Sequence, residues 1–245
     1  MNRHLLILGT VGLSAFAFWG CANAPGRPVA GDVPVVPSEI SDFNTLYGEN
    51  CSGCHGADGR GGAAIALGDP VYLAIADDAV VRSAAANGIS GTSMPAFAES
   101  AGGMLTDKQI YVIVRGVRER WAQPDALRGA NPPPYSSSEP GDASRGAAAY
   151  AKYCSSCHGA GGRGGQKASS IVDGSFLALL NDQALRTIVI VGRPDLGAPD
   201  WRGDVPGKPM SPQDVSDVVA WLASQRSKFP GQPYPNSAKL TGEVR

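Results

Sequence analysis

The sequence predicts a mainly α-helical chain built as two tandem copies of one small fold, and three observations carry that reading. First, a string is repeated 103 residues apart: Cys51 to Gly62 reads CSGCHGADGRGG and Cys154 to Gly165 reads CSSCHGAGGRGG, differing only at Gly53/Ser156 and Asp58/Gly161. Second, each copy closes on an apolar stripe at helical spacing behind a Thr or Ser. Third, long runs of Val, Ile, Thr and Tyr are scarce, aromatics are 7%, and 32 Gly and 19 Pro punctuate the 245 residues. Copies of this size bury proportionally little surface, so each needs a bulky apolar group to pack around.

The elements come in matching order. Helical segments are expected over Glu39 to Asn50 and Ala143 to Tyr153, with Tyr47 and Tyr150 each four residues before the first Cys of the repeat. Thr106 caps the closing helix of the first copy, followed by apolar Ile110, Val112, Ile113, Val114 and Val117. Ser211 caps that of the second, with Pro212 at the first helical position and Val215, Val218, Val219 and Leu222 at i, i+3, i+4, i+7. Between the copies, Asn131 to Gly141 (NPPPYSSSEPG) has no apolar periodicity and reads as a stiff, then flexible linker. The expected domains are therefore 38–121 and 141–227, joined by a linker over 122–140, preceded by a Pro/Val/Gly-rich tether over 21–37 and followed by a polar tail over 228–245. Phe43 and Gly146 each stand eight residues before the first Cys, and Gly116 and Trp221 stand at matching points of the closing helices. The exchange of large and small predicts Phe43 over Gly116 and Trp221 over Gly146; the alternative is two independent core choices.

The start of the chain reads as an export signal over residues 1–20. Asn2-Arg3-His4 precedes the apolar run Leu5 to Trp19, which at 15 residues is short for a spanning helix. An uncleaved anchor is the alternative. Phe18-Trp19-Gly20-Cys21 resembles a bacterial lipobox and makes Cys21 the candidate lipidation site; a cut after Ala22-Asn23-Ala24 competes with it. Dual acylation would hold the chain lastingly on a membrane surface. The expected location is thus exported, lipid-anchored at the periplasmic side of a bacterial membrane. A net charge of -1 with no Lys/Arg cluster offers no footprint for nucleic acid.

Of five Cys, four form two CxxC pairs, each followed at once by His, and the odd one is Cys21. In an exported chain such pairs would ordinarily read as disulfides. The adjoining His changes the reading: CxxCH places two thiols one turn apart, where each can add to a haem vinyl group, and a ring nitrogen within reach of the iron. Two alternatives compete. A zinc site from Cys51, Cys54, Cys154 and Cys157 would have to close across 100 residues and a Pro-rich linker. Two redox dithiols would call for a thioredoxin-like alternation of strands and helices, which is missing. The Gly-rich runs at Gly59 to Gly62 and Gly161 to Gly165 lack the Lys-Ser/Thr of a phosphate cradle and read as turns at a haem edge. Arg60 and Arg163 within them either pair a haem propionate or stay solvated.

Through the CxxCH motifs, the aromatics before them, Met94-Pro95-Ala96-Phe97 and the closing helices, residues 38 to 120 and 141 to 226 resemble the class I c-type cytochromes in tandem di-haem form. The resemblance implies two small helical cytochrome c domains, each around one covalent haem c. Cys51, Cys54, Cys154 and Cys157 would be the attachment residues, with His55 and His158 as axial ligands of iron. In that family a downstream Met thioether is the sixth ligand, and Met94, 39 residues after His55, matches it; Met104, just before the cap, is the other methionine of that domain. The second copy departs from the pattern. Met94-Pro95-Ala96-Phe97 pairs with Ala198-Pro199-Asp200-Trp201, while Met210 pairs with Leu105. Either Met210 reaches the iron through the Gly203 to Pro209 loop, or the position is open or water-filled, or another group such as Lys208 takes it. A second His is excluded, since the three are His4, His55 and His158.

The function implied is electron transfer in an extracytoplasmic respiratory or photosynthetic chain, without catalytic residues, as a membrane-tethered carrier or a complex subunit. Its redox partners would be a membrane oxidoreductase or oxidase complex. The alternative is a peroxidase-like di-haem enzyme with an open second haem, although no His, Gln or Glu cluster in the second domain offers acid-base help.

Overall fold

Every α-helix longer than four residues among the described residues begins on an Asp, Asn, Ser or Thr whose side chain accepts a backbone N–H of the first turn. The computed structural model describes residues 34–203 and 207–227. The first copy contains α1 (Phe43–Asn50), α2 (Ser52–His55), α3 (Pro70–Ile75), α4 (Asp78–Asn87) and α5 (Asp107–Trp121). The second repeats the series as α6 (Ala143–Tyr153), α7 (Ser155–His158), α8 (Gly174–Ala178), α9 (Asp182–Val191) and α10 (Pro212–Ser224). No strand occurs among the described residues, only two isolated bridges, Ala98 with Leu105 and Arg193 with Ala198. No described helix is long and apolar enough to cross a membrane.

The chain divides into a unit ending at Glu39 and a compact unit from Ile40. In the first, the turn Pro37–Glu39 closes with the Glu39 N–H on the Val36 carbonyl at 2.8 Å. The signal segment, Cys21 and the tail from 228 lie outside the described residues. Helix α1 starts at Phe43 because Asp42 caps it, accepting from the Thr45 N–H at 2.8 Å.

The closing helices bury the stripes expected of them. On α5, Ile110, Ile113, Val114 and Val117 are buried, with Val112 at the margin; on α10, Val215, Val218, Val219 and Leu222 are buried. Both carry a capping box, from Thr106 with Gln109 and from Ser211 with Asp214. Gln109 also donates through Nε2 to the Ile40 carbonyl at 3.1 Å, tying the entry of the compact unit to α5.

The two copies solve the crossing of opening and closing helices differently. A Cβ on Gly116 would lie 2.0 Å from the Phe43 ring, so Phe43 fills that notch as expected. A Cβ on Gly146 would lie 2.0 Å from the Asp217 carbonyl oxygen and 2.7 Å from the Trp221 Cβ. There the backbones of α6 and α10 meet directly and leave no room for a ring between them. Trp221 meets Gly146 through its Cβ, as expected, and its indole stacks on Tyr150 with ring centroids 4.3 Å apart.

Loops join the halves. The Gly61 N–H donates to Asp195 Oδ2 at 3.0 Å, Arg193 Nη2 to the Gly62 carbonyl at 2.8 Å, and Asn181 Nδ2 to the Ser90 carbonyl at 2.8 Å. The linker is also held. Arg186, 3% exposed, donates to the Pro134 and Tyr135 carbonyls and to Ser216 Oγ, giving acceptors to a guanidinium that water does not reach.

Candidate functional site

Each repeated motif is a helical joint. The Cys51 and Cys154 N–H groups end α1 and α6 on the Tyr47 and Tyr150 carbonyls at 2.9 Å, and their carbonyls accept from the His55 and His158 N–H at 3.0 Å. One turn of helix therefore separates the two thiols, with the His at its end. The phenols four residues before the first Cys lock the glycine just past each His: Tyr47 Oη donates to the Gly56 carbonyl at 2.8 Å and Tyr150 Oη to the Gly159 carbonyl at 2.6 Å. The loop beyond that glycine folds back onto the motif. In the first copy the Ala64 N–H reaches the Cys54 carbonyl at 2.9 Å, and a Cβ on Gly62 would lie 2.1 Å from that same oxygen.

This return sets the histidine. His55 Nδ1 donates to the Ile65 carbonyl at 2.7 Å, which leaves the lone pair on Nε2. Nε2 is buried and has no hydrogen-bond partner among the described residues. A buried nitrogen left so costs about 1–3 kcal/mol. An iron ligated there removes the anomaly, so the donor set fits a haem. Burial holds the His55 imidazole below its usual pKa, against the pull of the Ile65 carbonyl, and so in its neutral, ligating form. In the second copy His158 Nδ1 donates to the Ser169 carbonyl at 2.9 Å, with the ring less deeply buried.

The thiols do not fit the competing chemistries. None of Cys51, Cys54, Cys154 and Cys157 is in a disulfide, and no three His, Cys, Asp or Glu among the described residues are grouped to hold a metal ion. Burial, then the neighbouring thiol, pushes Cys51 and Cys154 up to about 11, opposite to the depressed value of a redox-active pair.

The loop after α4 carries Met94, half-buried. Its carbonyl accepts from the Ile89 N–H at 3.0 Å and its N–H donates to Thr92 Oγ1 at 3.1 Å. Gly88, at φ +68, lets the loop fold down; a Cβ there would lie 2.7 Å from the Met94 oxygen. Met104, 81% exposed, stays at the surface. In the second copy Ala198 takes the matching place: the Arg193 N–H donates to its carbonyl at 3.0 Å, across a loop that contains the turn Pro194–Leu196. Met210 falls on the core position of Leu105. The two are 7% and 6% exposed, and their N–H groups donate to the Trp201 and Phe97 carbonyls at 2.8 and 2.7 Å.

Two features were hidden from sequence reasoning. Trp121 lies edge-on to Tyr47 at 5.1 Å with its ring 2.8 Å from a Cβ on Gly59; Trp221 stacks on Tyr150 with its ring 3.3 Å from a Cβ on Gly162. The two indoles cover equivalent places, fifteen and ten residues after their caps, so alignment on the caps conceals them. Arg60, exposed like Arg163, donates through Nε and Nη2 to the Gly68 carbonyl at 3.0 and 2.5 Å, closing the motif loop.

Two such joints in a mainly helical fold define a tandem c-type cytochrome, with two cytochrome c domains and two c-type haems. The chain belongs to the family described as cytochrome C oxidase, cbb3-type, subunit III, which matches residues 38–115 and 141–222. No curated protein matches it in sequence. Among solved structures it is similar to a chain of the reducing HAO-like protein complex of Kuenenia stuttgartiensis, at 16% identity and a TM-score of 0.41, covering 79% of this chain and 100% of that one. It is also similar to thiosulfate dehydrogenase from Marichromatium purpuratum, at 17% identity and a TM-score of 0.31, covering 92% of this chain and 54% of that one. Likenesses this distant say nothing of what this chain acts on. As a cytochrome with two c-type haems, it is an electron-transfer protein.

Proposed function

We propose that the chain carries electrons on the periplasmic side of a bacterial membrane, tethered through Cys21, within a respiratory or photosynthetic chain. It serves either as a carrier or as a subunit of a membrane oxidoreductase or oxidase complex. Cys51 and Cys54 would attach haem one, whose iron His55 and Met94 would hold; Cys154 and Cys157 would attach haem two, whose iron His158 would hold. The observation that carries this reading is the buried His55 Nε2, free for a metal while Ile65 holds the other ring nitrogen. Membership of an oxidase-subunit family supports the respiratory setting.

A haem, when bound, supplies a one-electron iron couple, and a thioether opposite an imidazole raises its potential. The chain's own residues do the rest. Ile65 and Ser169 fix the ring orientations, Tyr47 and Tyr150 hold the turns behind them, and the buried faces of α5 and α10 exclude water. The Arg193 and Asp195 contacts to Gly62 and Gly61 keep the two motif regions in one body, as a relay needs. A peroxidase-like role is not favoured: Arg193 pairs with Asp195 and Arg202 with Asp200, so these carboxylates offer no free acid-base group.

A pyridine haemochrome assay with a subsequent spectroelectrochemical titration tests the reading. Two haems per chain and two one-electron waves, the higher from a low-spin His/Met centre, are expected. One haem or none per chain, or rapid peroxide turnover with a reduced donor, would replace it.

A further inference from the structure

The second copy closes its loop with the hydrogen bond that closes the Met94 loop and omits the sulfur. Two hydrogen bonds set the register. Ile89 N–H to the Met94 carbonyl corresponds to Arg193 N–H to the Ala198 carbonyl, both at 3.0 Å. Leu105 N–H to Phe97 corresponds to Met210 N–H to Trp201, while Trp201 N–H bonds to Ile190 at 2.9 Å, one residue further along its helix than Phe97 N–H, which bonds to Ala85 at 3.1 Å. A glycine supports the loop at the same place: a Cβ on Gly192 would lie 2.2 Å from the Pro199 oxygen and 2.8 Å from the Ala198 oxygen, as one on Gly88 meets Met94 to Ala96. Ala198 thus stands where Met94 stands, and an alanine has no donor atom.

Among the described residues of the second copy, the other candidate donors are engaged elsewhere or exposed. Met210 is in the apolar core, and the stretch from Trp201 to Met210 is only one residue longer than that from Phe97 to Leu105, so it adds little reach. The Asp200 carboxylate accepts from Arg202 through both its backbone N–H and its Nε, and Arg193 and Asp195 are paired with each other and with the first copy. Lys208 is exposed.

We propose that haem two has no axial ligand from this chain on the face opposite His158, and that this face, under Ala198, is a binding site for a small exogenous iron ligand of the cyanide or carbon monoxide class. The inference rests on Cys154, Cys157 and His158 as a haem site.

The test uses the full-length ferric chain and cyanide, read by absorption and by electron paramagnetic resonance. A haemochrome count of two haems per chain comes first; a count of one means that the attachment reading has failed, independently of this inference. With two haems, one high-spin centre that converts to low spin with one equivalent of cyanide is expected. Ala198→Met is expected to abolish that binding and raise the potential of the same haem. Met210→Leu, which places in the second copy the residue the first already carries, is expected to leave the titration unchanged. Two low-spin centres with no cyanide response in the unaltered chain would overturn the proposal, as would cyanide binding that persists in a folded Ala198→Met chain. Should that variant fail to fold, the unaltered chain and Met210→Leu still decide it.

Discussion

At the scale of the residue, space around single glycines separates packing from propensity. A Cβ on Gly116 would penetrate the Phe43 ring, whereas one on Gly48, in the middle of α1, meets nothing within 4 Å. Gly116→Ala is therefore expected to destabilise the haem-loaded chain by about 1–3 kcal/mol through overpacking. Gly48→Ala is expected to stabilise it by about 0.5–1 kcal/mol, since alanine loses less backbone entropy in a helix. Urea unfolding monitored by far-ultraviolet circular dichroism measures both. Equal effects at the two positions would show that Phe43 does not occupy the notch.

At the scale of the element, α6 and α10 are held by one carboxylate. Asp217, 5% exposed, accepts from the Asp142 N–H at 2.8 Å, from Arg145 Nε and Nη2 at 2.7 and 2.8 Å, and from Gln213 Nε2 at 2.9 Å. The Arg145 hydrogen bonds chiefly hold its pKa down at about 2, over the opposing cost of burial. A folded pKa below the unfolded one means stability that is present above about pH 4 and lost as pH falls toward 2. Asp217→Asn keeps the shape but loses charge-assisted acceptors. It is expected to cost about 1–3 kcal/mol at pH 7, Arg145 being exposed enough for solvent to screen part of the pair. The deficit should shrink between pH 4 and pH 2. Unfolding curves at pH 7 and pH 3 check this; a deficit that is the same at both would remove Asp217 as the titrating group.

At the scale of the whole molecule, the loop over the second site is also the clamp on the first. Arg193 and Asp195 lie at the start of the Ala198 loop and bond to Gly62 and Gly61, in the return of the first motif. Their side chains are 15% and 10% exposed, so this pair is better shielded from solvent than an ordinary surface pair. The double variant Arg193→Ala with Asp195→Ala is expected to keep both haems attached while the halves separate. Small-angle scattering should show a larger radius of gyration, and limited proteolysis faster cutting within 122–140. An unchanged radius and cutting rate would assign the union of the halves to the Arg186 contacts with Pro134 and Tyr135 instead.

Much of the site was legible in the sequence because it is written at short range. The CxxCH spacing, the caps at Thr106 and Ser211, the stripes behind them, and the pairing of Met94 with Ala198 are fixed by neighbours a few residues apart or by comparison of the copies. Apart from Phe43 over Gly116 and the meeting of Trp221 with Gly146, what joins distant segments was not legible. Trp121 and Trp221 reach equivalent places in the two copies from different turns, Arg60 closes its own loop on Gly68, and the Trp221 indole stacks on Tyr150. The repeat, the attachment motifs and the helical class were determined by the sequence by itself. Tertiary structure alone decided the core place of Met210 and the clamp between Gly61 and Asp195, 134 residues apart. The physical reason is that periodicity records which face of an element is apolar, whereas a contact across such a separation depends on how several faces have already packed.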